Sequence, residues 1–410
     1  MSPAPHFPRP KRKENGIVEN GRNGGSNGLR ANGRHAADDK RPVLITGGAG
    51  FIGTNLADRL LTLGQPVLIF DNLSRRGSER NLQWLSKRHG SLVRTEIADV
   101  RAVNRLRLAV REVSTVFHFA AQVAVTDSLE NPRQDFDVNV IGTVNLLEAL
   151  RELRTRPSMV FTSTNKVYGA LADIRLVKDG TSYRPIVPHL AKTGVNESQP
   201  LDFYSPYGCS KGAADQYVLD YARTFELPAA VFRMSCIYGP HQFGTEDQGW
   251  VAHFLIRACE DRQITIYGDG MQARDVLFVE DLVEAFLLAR KHMDRIYGQA
   301  FNIGGGPANT LSLLELVDLI GALRKQPCAI EFAEWRHADQ RYYASDTRKF
   351  KRATGWRAGV SVREGVAALH EWLVEARQAL PSATRHSEEA FSGLQQALLD
   401  DRPQAALRTN

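Results

Sequence analysis

Short runs of consecutive apolar residues alternate along this chain with segments whose apolar side chains recur every three or four positions. The first run, "VLIT" at 43–46, is followed by "TNLADRLLTLG", where Leu56, Leu60 and Leu63 fall at helical spacing and Gly64 marks a stop. "PVLIFDN" is a second buried run and ends in Asp71. "LVRTEIADV", "TVFHFAAQ", "SMVFTST" and "AAVFRMS" follow, with helix-like segments such as "VNVIGTVNLLEALREL" between several of them. Strands alternating with helices at this interval predict an α/β fold, a doubly wound parallel sheet of the Rossmann-like type.

After about residue 236 the pattern changes. Short strands, "QITIYGD" and "AFNIGGG", alternate with loops and a few helices. This predicts a smaller C-terminal α/β domain packed over the C-terminal edge of the sheet. The expected division is 41–235 mainly for the first domain and 236–375 mainly for the second, with 276–292 returning to the first. An insert at about 171–203 interrupts the first domain, and its shape is not legible from its residues. Residues 1–40 are rich in Gly, Asn, Pro and Arg and lack the apolar centre of a secretory signal, so they read as a disordered basic tail. Residues 376–410 are weakly apolar and read as a weakly ordered tail. No internal repeat is visible.

A chain of 410 residues is long enough for two modest domains. No apolar run approaches the roughly 18–20 residues that span a bilayer, so no membrane partner is expected. Cys209, Cys236, Cys259 and Cys328 are scattered with no C-x-x-C spacing. That argues against a disulfide framework and a zinc site, and it fits a reducing, cytoplasmic location with no metal. The net charge of +6 is concentrated in residues 1–40, which hold eight Lys/Arg and four Asp/Glu. The remainder is nearly balanced, so no nucleic-acid partner is expected.

"TGGAGFIG" sets Gly47, Gly50 and Gly53 between a strand and a helix. Glycine lets the backbone turn tightly and approach a pyrophosphate, and the helix N-terminus offers free N–H groups. Asp71 stands about 20 residues on, at the end of the next strand. It is expected to accept hydrogen bonds from the adenosine ribose and to repel a 2′-phosphate, which favours NAD over NADP. Arg75 and Arg76 read as solvated loop charges. Asp99 and Val100, at the end of the third strand, are placed for the adenine.

"SPYGCSKGAADQY" supplies Tyr207 and Lys211, an i,i+4 pair on one helix face. An ammonium beside a phenol favours the phenolate. Such a phenolate can take a hydroxyl proton while hydride leaves the same carbon. Thr164 ends a core strand nearby.

"TGGAGFIG", "DNLSRRG", "HFAAQ", "DVNVIGTVNLLEA", "SPYGCSK", "IYGP", "RDVLFVEDL" and "FNIGGG" together resemble the extended short-chain dehydrogenase/reductase family, the nucleotide-sugar epimerases and dehydratases, over about residues 42–372. The resemblance implies an NAD-dependent isomerase with the cofactor in its first domain and a nucleotide sugar held mainly by its second. It implies cofactor contacts from Gly47, Gly50, Phe51, Ile52, Gly53, Asp71, Asn72, Asp99, Val100, Ala120, Ala121, Gln122, Tyr207 and Lys211. Thr164 would bond the reacting oxygen, Tyr207 would be the base, and Lys211 would also hold the nicotinamide ribose. Substrate contacts are expected from Thr164, Asn165, Gln248, Arg274, Arg336 and Arg341, with Asp275 an alternative partner for Arg274. Asp247 and Trp250 read as pocket or packing residues.

Two departures narrow the expectation. The family's dehydratases carry Asp-Glu after this Thr, and here Asn165 and Lys166 stand there, which argues against 4,6-dehydration and for epimerisation. Many relatives have Asn where this chain has Cys236, read as packing, and Arg is frequent where it has His241, read as a loop residue. "STNKVYG", "DNLSRRGSERNLQWLS", "EDQGWVAHF" and "DQRYYASD" resemble the branch that inverts C2 of a CDP-hexose. A UDP-hexose 4-epimerase needs the same Thr, Tyr and Lys, and a non-catalytic NAD-binding sensor or scaffold stays open beside it. A homodimer or homotetramer rests on the resemblance alone, through the helix at 138–153.

Overall fold

The computed structural model describes residues 39–336 and 339–378. The two tail readings, for 1–40 and 376–410, lie outside the described residues except at their inner ends. Strand β1 (Val43–Thr46) is wholly buried, and α1 (Phe51–Thr62) follows it, with Leu56, Ala57, Leu60 and Leu61 buried. Leu63 does not continue that stripe: it is 63% exposed, because the helix ends before it and the chain turns at Gly64, with φ +76°.

The alternation then continues through β2 (Val67–Asp71), α2 (Ser78–His89), β3 (Val93–Ile97), α3 (Val103–Ala109) and β4 (Thr115–His118). Helices α4 (Val125–Glu130) and α5 (Pro132–Phe136) run into a wide π turn, Asp137–Ile141, and then α6 (Gly142–Arg151) and β5 (Ser158–Thr164). A single 3-10 turn, Asn165–Tyr168, follows. The insert is a hairpin, β6 (Leu176–Asp179) with β7 (Ser182–Pro185), then α7 (Pro188–Thr193). Next come α8 (Pro206–Thr224), β8 (Ala229–Met234), β9 (Cys236–Tyr238), α9 (Trp250–Cys259), β10 (Ile264–Tyr267) and β11 (Ala273–Phe278). The chain closes with α10 (Val279–Lys291), α11 (Met293–Ile296), β12 (Ala300–Ile303), β13 (Thr310–Ser312), α12 (Leu313–Arg324), β14 (Ile330–Ala333), β15 (Tyr342–Tyr343), α13 (Arg348–Thr354) and α14 (Val362–Gln378).

The main sheet has seven strands in the order β12-β8-β5-β4-β1-β2-β3, every neighbouring pair parallel. Adjacent strand residues point to opposite faces, so the sheet feeds two cores. Val43, Ile45, Ile69, Phe117 and Val160 pack with residues of α1 and α10, while Leu44, Phe70, Val116, Met159 and Phe161 pack with residues of α6 and α8. "AFNI" departs from the sequence reading. As β12 it forms an edge of the main sheet beside β8, and all four of its residues are buried. A strand covered on both faces reads as an unbroken apolar run, and its neighbours in sequence had disguised its destination. Around β11, a second sheet joins β9 and β15 in parallel and β13 antiparallel; β10 pairs with β14. A third core lies between α9, α12 and α14.

Strand order reverses direction at β1, between β2 and β4. In open α/β sheets ligands bind beyond the C-terminal strand ends at such a switch point. The glycine turn and the end of β5 both lie at those ends.

Candidate active site

The turn between β1 and α1 is built for close backbone approach. Gly47 has φ +68°, and a Cβ there would sit 2.7 Å from the backbone nitrogen of Ala120. A Cβ on Gly53 would sit 2.5 Å from the Gly47 carbonyl oxygen. Helix α1 begins after Gly50 with no side-chain cap and no acidic residue in its first turn, which includes Phe51 and Ile52. Its first N–H groups are therefore open to an anion. Asp71 closes the turn: Oδ2 accepts from Ala49 N at 3.0 Å and Oδ1 from Leu73 N at 2.8 Å. Burial pushes its carboxyl pKa up, and the two N–H bonds oppose that.

Asn72 donates to Asp99 Oδ2 at 2.9 Å, and Arg101 grips the same carboxylate. Those bonds, Arg101 first, bring Asp99 down to about 2. Val100 beneath it is buried. Beyond β4, Ala120 N donates to Thr46 Oγ1 at 3.3 Å, and Ala121 and Gln122 are half-buried. Asn139, on the π turn, accepts from Gln122 N and donates to Gln122 O and to Ser210 Oγ of α8. The sequence pattern did not reveal this link, nor His118. His118 is buried between Thr46 and Thr143, and burial lowers its pKa to about 3, so it is a neutral brace joining β1, β4 and α6.

Thr164, at the end of β5, and Tyr207 and Lys211, in the first turns of α8, converge beside this cradle. All three are under 10% exposed. Ser205 caps α8 by accepting from Gly208 N, at the unusual φ of +149°, and Tyr207 N donates to Ser128 Oγ. Backbone strain of this kind persists where surrounding structure enforces it. Burial raises the Tyr207 phenol to about 12; its hydrogen bond with Thr164 and the charge of Arg75 oppose the rise, and Asp135 adds to it. The Lys211 amine lies 4.3 Å over the Phe161 ring, and burial lowers it to about 8 against the pull of Asp135 and Asp215.

Arg75 is an exposed loop charge, as the sequence suggests, but it also has a partner across the fold. It reaches across the cleft to donate to Gln248 Oε1, and its charge acts on Tyr207 and Asp127. Arg274 pairs with Asp339 at 2.6 Å and not with Asp275. Neighbours on a strand face opposite ways, so the Asp275 carboxylate accepts instead from Ser235 Oγ, Gly306 N and Ser345 N. Asn165 donates to Gln340 Oε1, and Lys166 Nζ stands 3.9 Å from Asp339. Arg336 pairs with Glu246 and Asp247 and lies 3.9 Å over Tyr267. Arg341 lies over the rings of Tyr183 and Trp335 and lines a cavity of about 390 Å³ with Leu171 and Ile174 of the insert and with Asp339. Trp250 bonds Cys236, which burial keeps as a thiol, and both pack on the third core. His241 packs against Trp84 with ring centroids 4.2 Å apart and planes tilted by 46°, and burial lowers it to about 4.

A buried backbone cradle, a carboxylate at the end of β2 and a Thr–Tyr–Lys set thus meet at a sheet switch point, where a dinucleotide would lie. The chain belongs to the NAD dependent epimerase/dehydratase family, which it matches over residues 43–304. It is an NAD-dependent enzyme of the epimerase type. It is 44% identical over 336 residues to CDP-paratose 2-epimerase from Salmonella typhi, covering 80% of this chain and 98% of that one. Among solved structures it resembles UDP-glucose 4-epimerase with UDP-glucose from Thermotoga maritima: TM-score 0.70, 29% identity, 82% of this chain and 99% of that one. The UDP-glucuronic acid 4-epimerase from Bacillus cereus, in complex with UDP-glucuronic acid and NAD, gives TM-score 0.70 and 25% identity over 82% and 99%. Among the described residues no helix is long and apolar enough to cross a membrane, and no cluster of three metal-ligating side chains occurs.

Proposed function

We propose that this enzyme inverts C2 of a CDP-linked hexose through a transient 2-keto sugar. The observation that carries the reading is the end of β5: Thr164 faces Tyr207, while the next two positions hold an amide and an ammonium, Asn165 and Lys166. A catalytic hydroxyl and phenol are present without a carboxyl pair to expel water. The similarity to the Salmonella protein, along nearly its whole length, supports C2 and cytidine.

The residues present fit NAD: Gly47, Gly50 and Gly53 for the pyrophosphate, Asp71 for the adenosine ribose, and Lys211 for the nicotinamide ribose. NAD⁺, when bound, supplies the hydride acceptor beside the reacting carbon. Tyr207, once ionised, takes the C2 hydroxyl proton, and Thr164 holds the oxygen while C2 becomes a carbonyl. The sugar would turn over within the cleft, and Tyr207 would give the proton back to the C2 oxygen as the hydroxyl is restored with inverted configuration. No atom is gained or lost. The first domain, 41–235 with 276–292 and β12, would carry the cofactor, and the second would grip the nucleotide. Leu129, Phe136, Ile141 and Tyr217 are each about 40–50% exposed on α4, α5, the π turn and α8, which supports a homo-oligomer through that face.

Proton NMR of the protein with CDP-paratose, CDP-glucose, UDP-glucose and UDP-galactose in separate tubes tests the reading. Inversion at C2 of a CDP-sugar, lost in Tyr207→Phe, is the expected result. Inversion at C4 of a UDP-sugar would overturn C2 and cytidine together.

A further inference from the structure

The loop between β2 and α2 carries a charge that the Thr–Tyr–Lys set does not use. Its shape is set by its own bonds. Leu73 N donates to Asp71 Oδ1 at 2.8 Å, Ser74 N to Asn72 Oδ1 at 3.1 Å, and Ser78 N to Arg75 O at 3.1 Å. The loop thus springs from the carboxylate that an adenosine ribose would meet. From it the exposed Arg75 guanidinium donates to Gln248 Oε1, and its charge is felt at Asp127 and Tyr207. It therefore spans the line from the glycine turn to the catalytic phenol, along which a dinucleotide would run. Gln248 is held on the far side by a closed turn. Thr245 N donates to Gln248 O at 2.9 Å and Gln248 N to Thr245 O at 3.2 Å. Arg336 secures that turn by donating to Glu246 O at 2.9 Å and pairing with Glu246 and Asp247.

Nearby, the segment 240–243 is fastened to the first domain in a different way. Asn55 donates to Pro240 O at 2.9 Å and Asn81 to His241 O at 3.4 Å, and Gly77 leaves no room for a Cβ against the Phe243 ring. That contact is packed, whereas Arg75 meets Gln248 through a solvent-exposed bond to a neutral amide, which opens at modest cost. A bond of that kind suits a fastening that must release. Epimerisation consumes no cofactor, so the dinucleotide has to stay in the cleft between removal and restoration of the hydroxyl proton. We propose that Arg75 and Gln248 form a clasp across the cleft that retains NAD through the catalytic cycle and opens for its exchange. The clasp serves inversion at C2 or at C4 alike, so it stands apart from the choice of substrate. A clasp that bars the way in both directions slows entry and exit together and leaves the equilibrium affinity nearly unchanged. A direct contact with the dinucleotide would instead change affinity and exit in proportion.

The test is NAD exchange on the full chain. Radiolabelled NAD on the loaded protein is chased with excess unlabelled NAD, and the label retained on a filter gives the exit rate. Equilibrium dialysis gives Kd, and the entry rate follows from the two. Wild type, Gln248→Ala, Gln248→Glu and Arg75→Leu are compared, each checked for an unchanged unfolding midpoint. Gln248→Ala should speed exit by roughly 3–30-fold while Kd stays within about threefold. Gln248→Glu, which offers the guanidinium a carboxylate, should release NAD no faster than wild type. Arg75→Leu should speed exit at least as much as Gln248→Ala. Wild-type exit from Gln248→Ala would overturn the clasp. So would a Kd that rises in step with the exit rate in Gln248→Ala. Faster exit from Arg75→Leu alone would mean that Arg75 touches the dinucleotide directly, and it too would overturn the clasp.

Discussion

Arg233 meets Asp215 fork to fork: Nε to Oδ2 and Nη2 to Oδ1, each at 2.9 Å, with both side chains almost wholly buried. The pair ties β8 to α8 one turn below Lys211. Arg233 also donates to the Tyr168 hydroxyl at 3.2 Å, and Tyr168 donates to Asn302 Oδ1 at 2.7 Å. Helix α8 is thereby fastened to β8, to the turn after β5 and to β12. Removing one partner strands a buried charge, so Asp215→Ala is expected to lower stability by about 3–5 kcal/mol. The double variant Asp215→Leu/Arg233→Met removes both charges and should recover most of it. Urea unfolding midpoints decide; a single variant as stable as wild type would show that water compensates the charge.

Lys211 makes stability depend on alkaline pH. Its pKa falls from 10.5 unfolded to about 8 folded. Between those values the unfolded chain binds more protons than the folded one, so this group makes stability rise with pH from about 8 to about 10.5. At about 1.4 kcal/mol per pKa unit the full span is worth roughly 3 kcal/mol. Tyr207 runs the other way: its pKa is raised from 10.0 to about 12, so its contribution is present below pH 10 and is lost toward pH 12. The Lys211 effect is thus read cleanly between about pH 8 and pH 10. Lys211→Met should be flatter than wild type in that window when unfolding free energy is followed against pH. Parallel curves would contradict a buried, depressed lysine.

Much of this site was legible in the sequence, and what was not has a geometric cause. β1, β2, β4, β5 and β8 announce themselves as apolar runs because parallel strands are covered on both faces. The glycine spacing and Tyr207–Lys211 lie within single local segments, so one-dimensional spacing carries them. Contacts made across the fold do not. Asp275 is the sequence neighbour of Arg274, yet strand alternation sends Arg274 to Asp339 instead. The cross-fold bond of Arg75 was invisible because its partner Gln248 is 173 residues away. His118 reads as a strand residue, and only the fold shows Thr46 and Thr143 on its two nitrogens.

The phosphate turn makes its own prediction. Gly47→Ala places a Cβ at positive φ against the Ala120 backbone, which cannot swing aside as a side chain would. It should weaken NAD binding at least about tenfold and cost about 1–3 kcal/mol of stability. Gly64→Ala is the control. It has a similar φ of +76° but nothing within 4 Å of the new Cβ. It should cost about 1 kcal/mol and leave NAD affinity unchanged. Titration of both variants with NAD, followed by tryptophan fluorescence, separates strain from encroachment. Equal NAD affinity in the two would remove the cradle from Gly47.

Arg75 and Asp135 bear on Tyr207 with opposite sign, and that opposition makes the base assignment testable without abolishing activity. The positive charge of Arg75 favours the phenolate, and the negative charge of Asp135 disfavours it. If Tyr207 must ionise for reaction, kcat/KM rises with pH through its pKa. Arg75→Leu removes the favourable charge, so the rising limb should move to higher pH. Asp135→Asn removes the unfavourable one, so the limb should move to lower pH. A merely structural role for either residue would scale the whole profile without shifting it. Gln248→Ala adds a third arm. It frees the Arg75 guanidinium from its cross-cleft bond, and a displaced charge should shift the limb in the same direction as Arg75→Leu but less. Limbs that stay in place in all three variants would mean that the titrating base is not Tyr207.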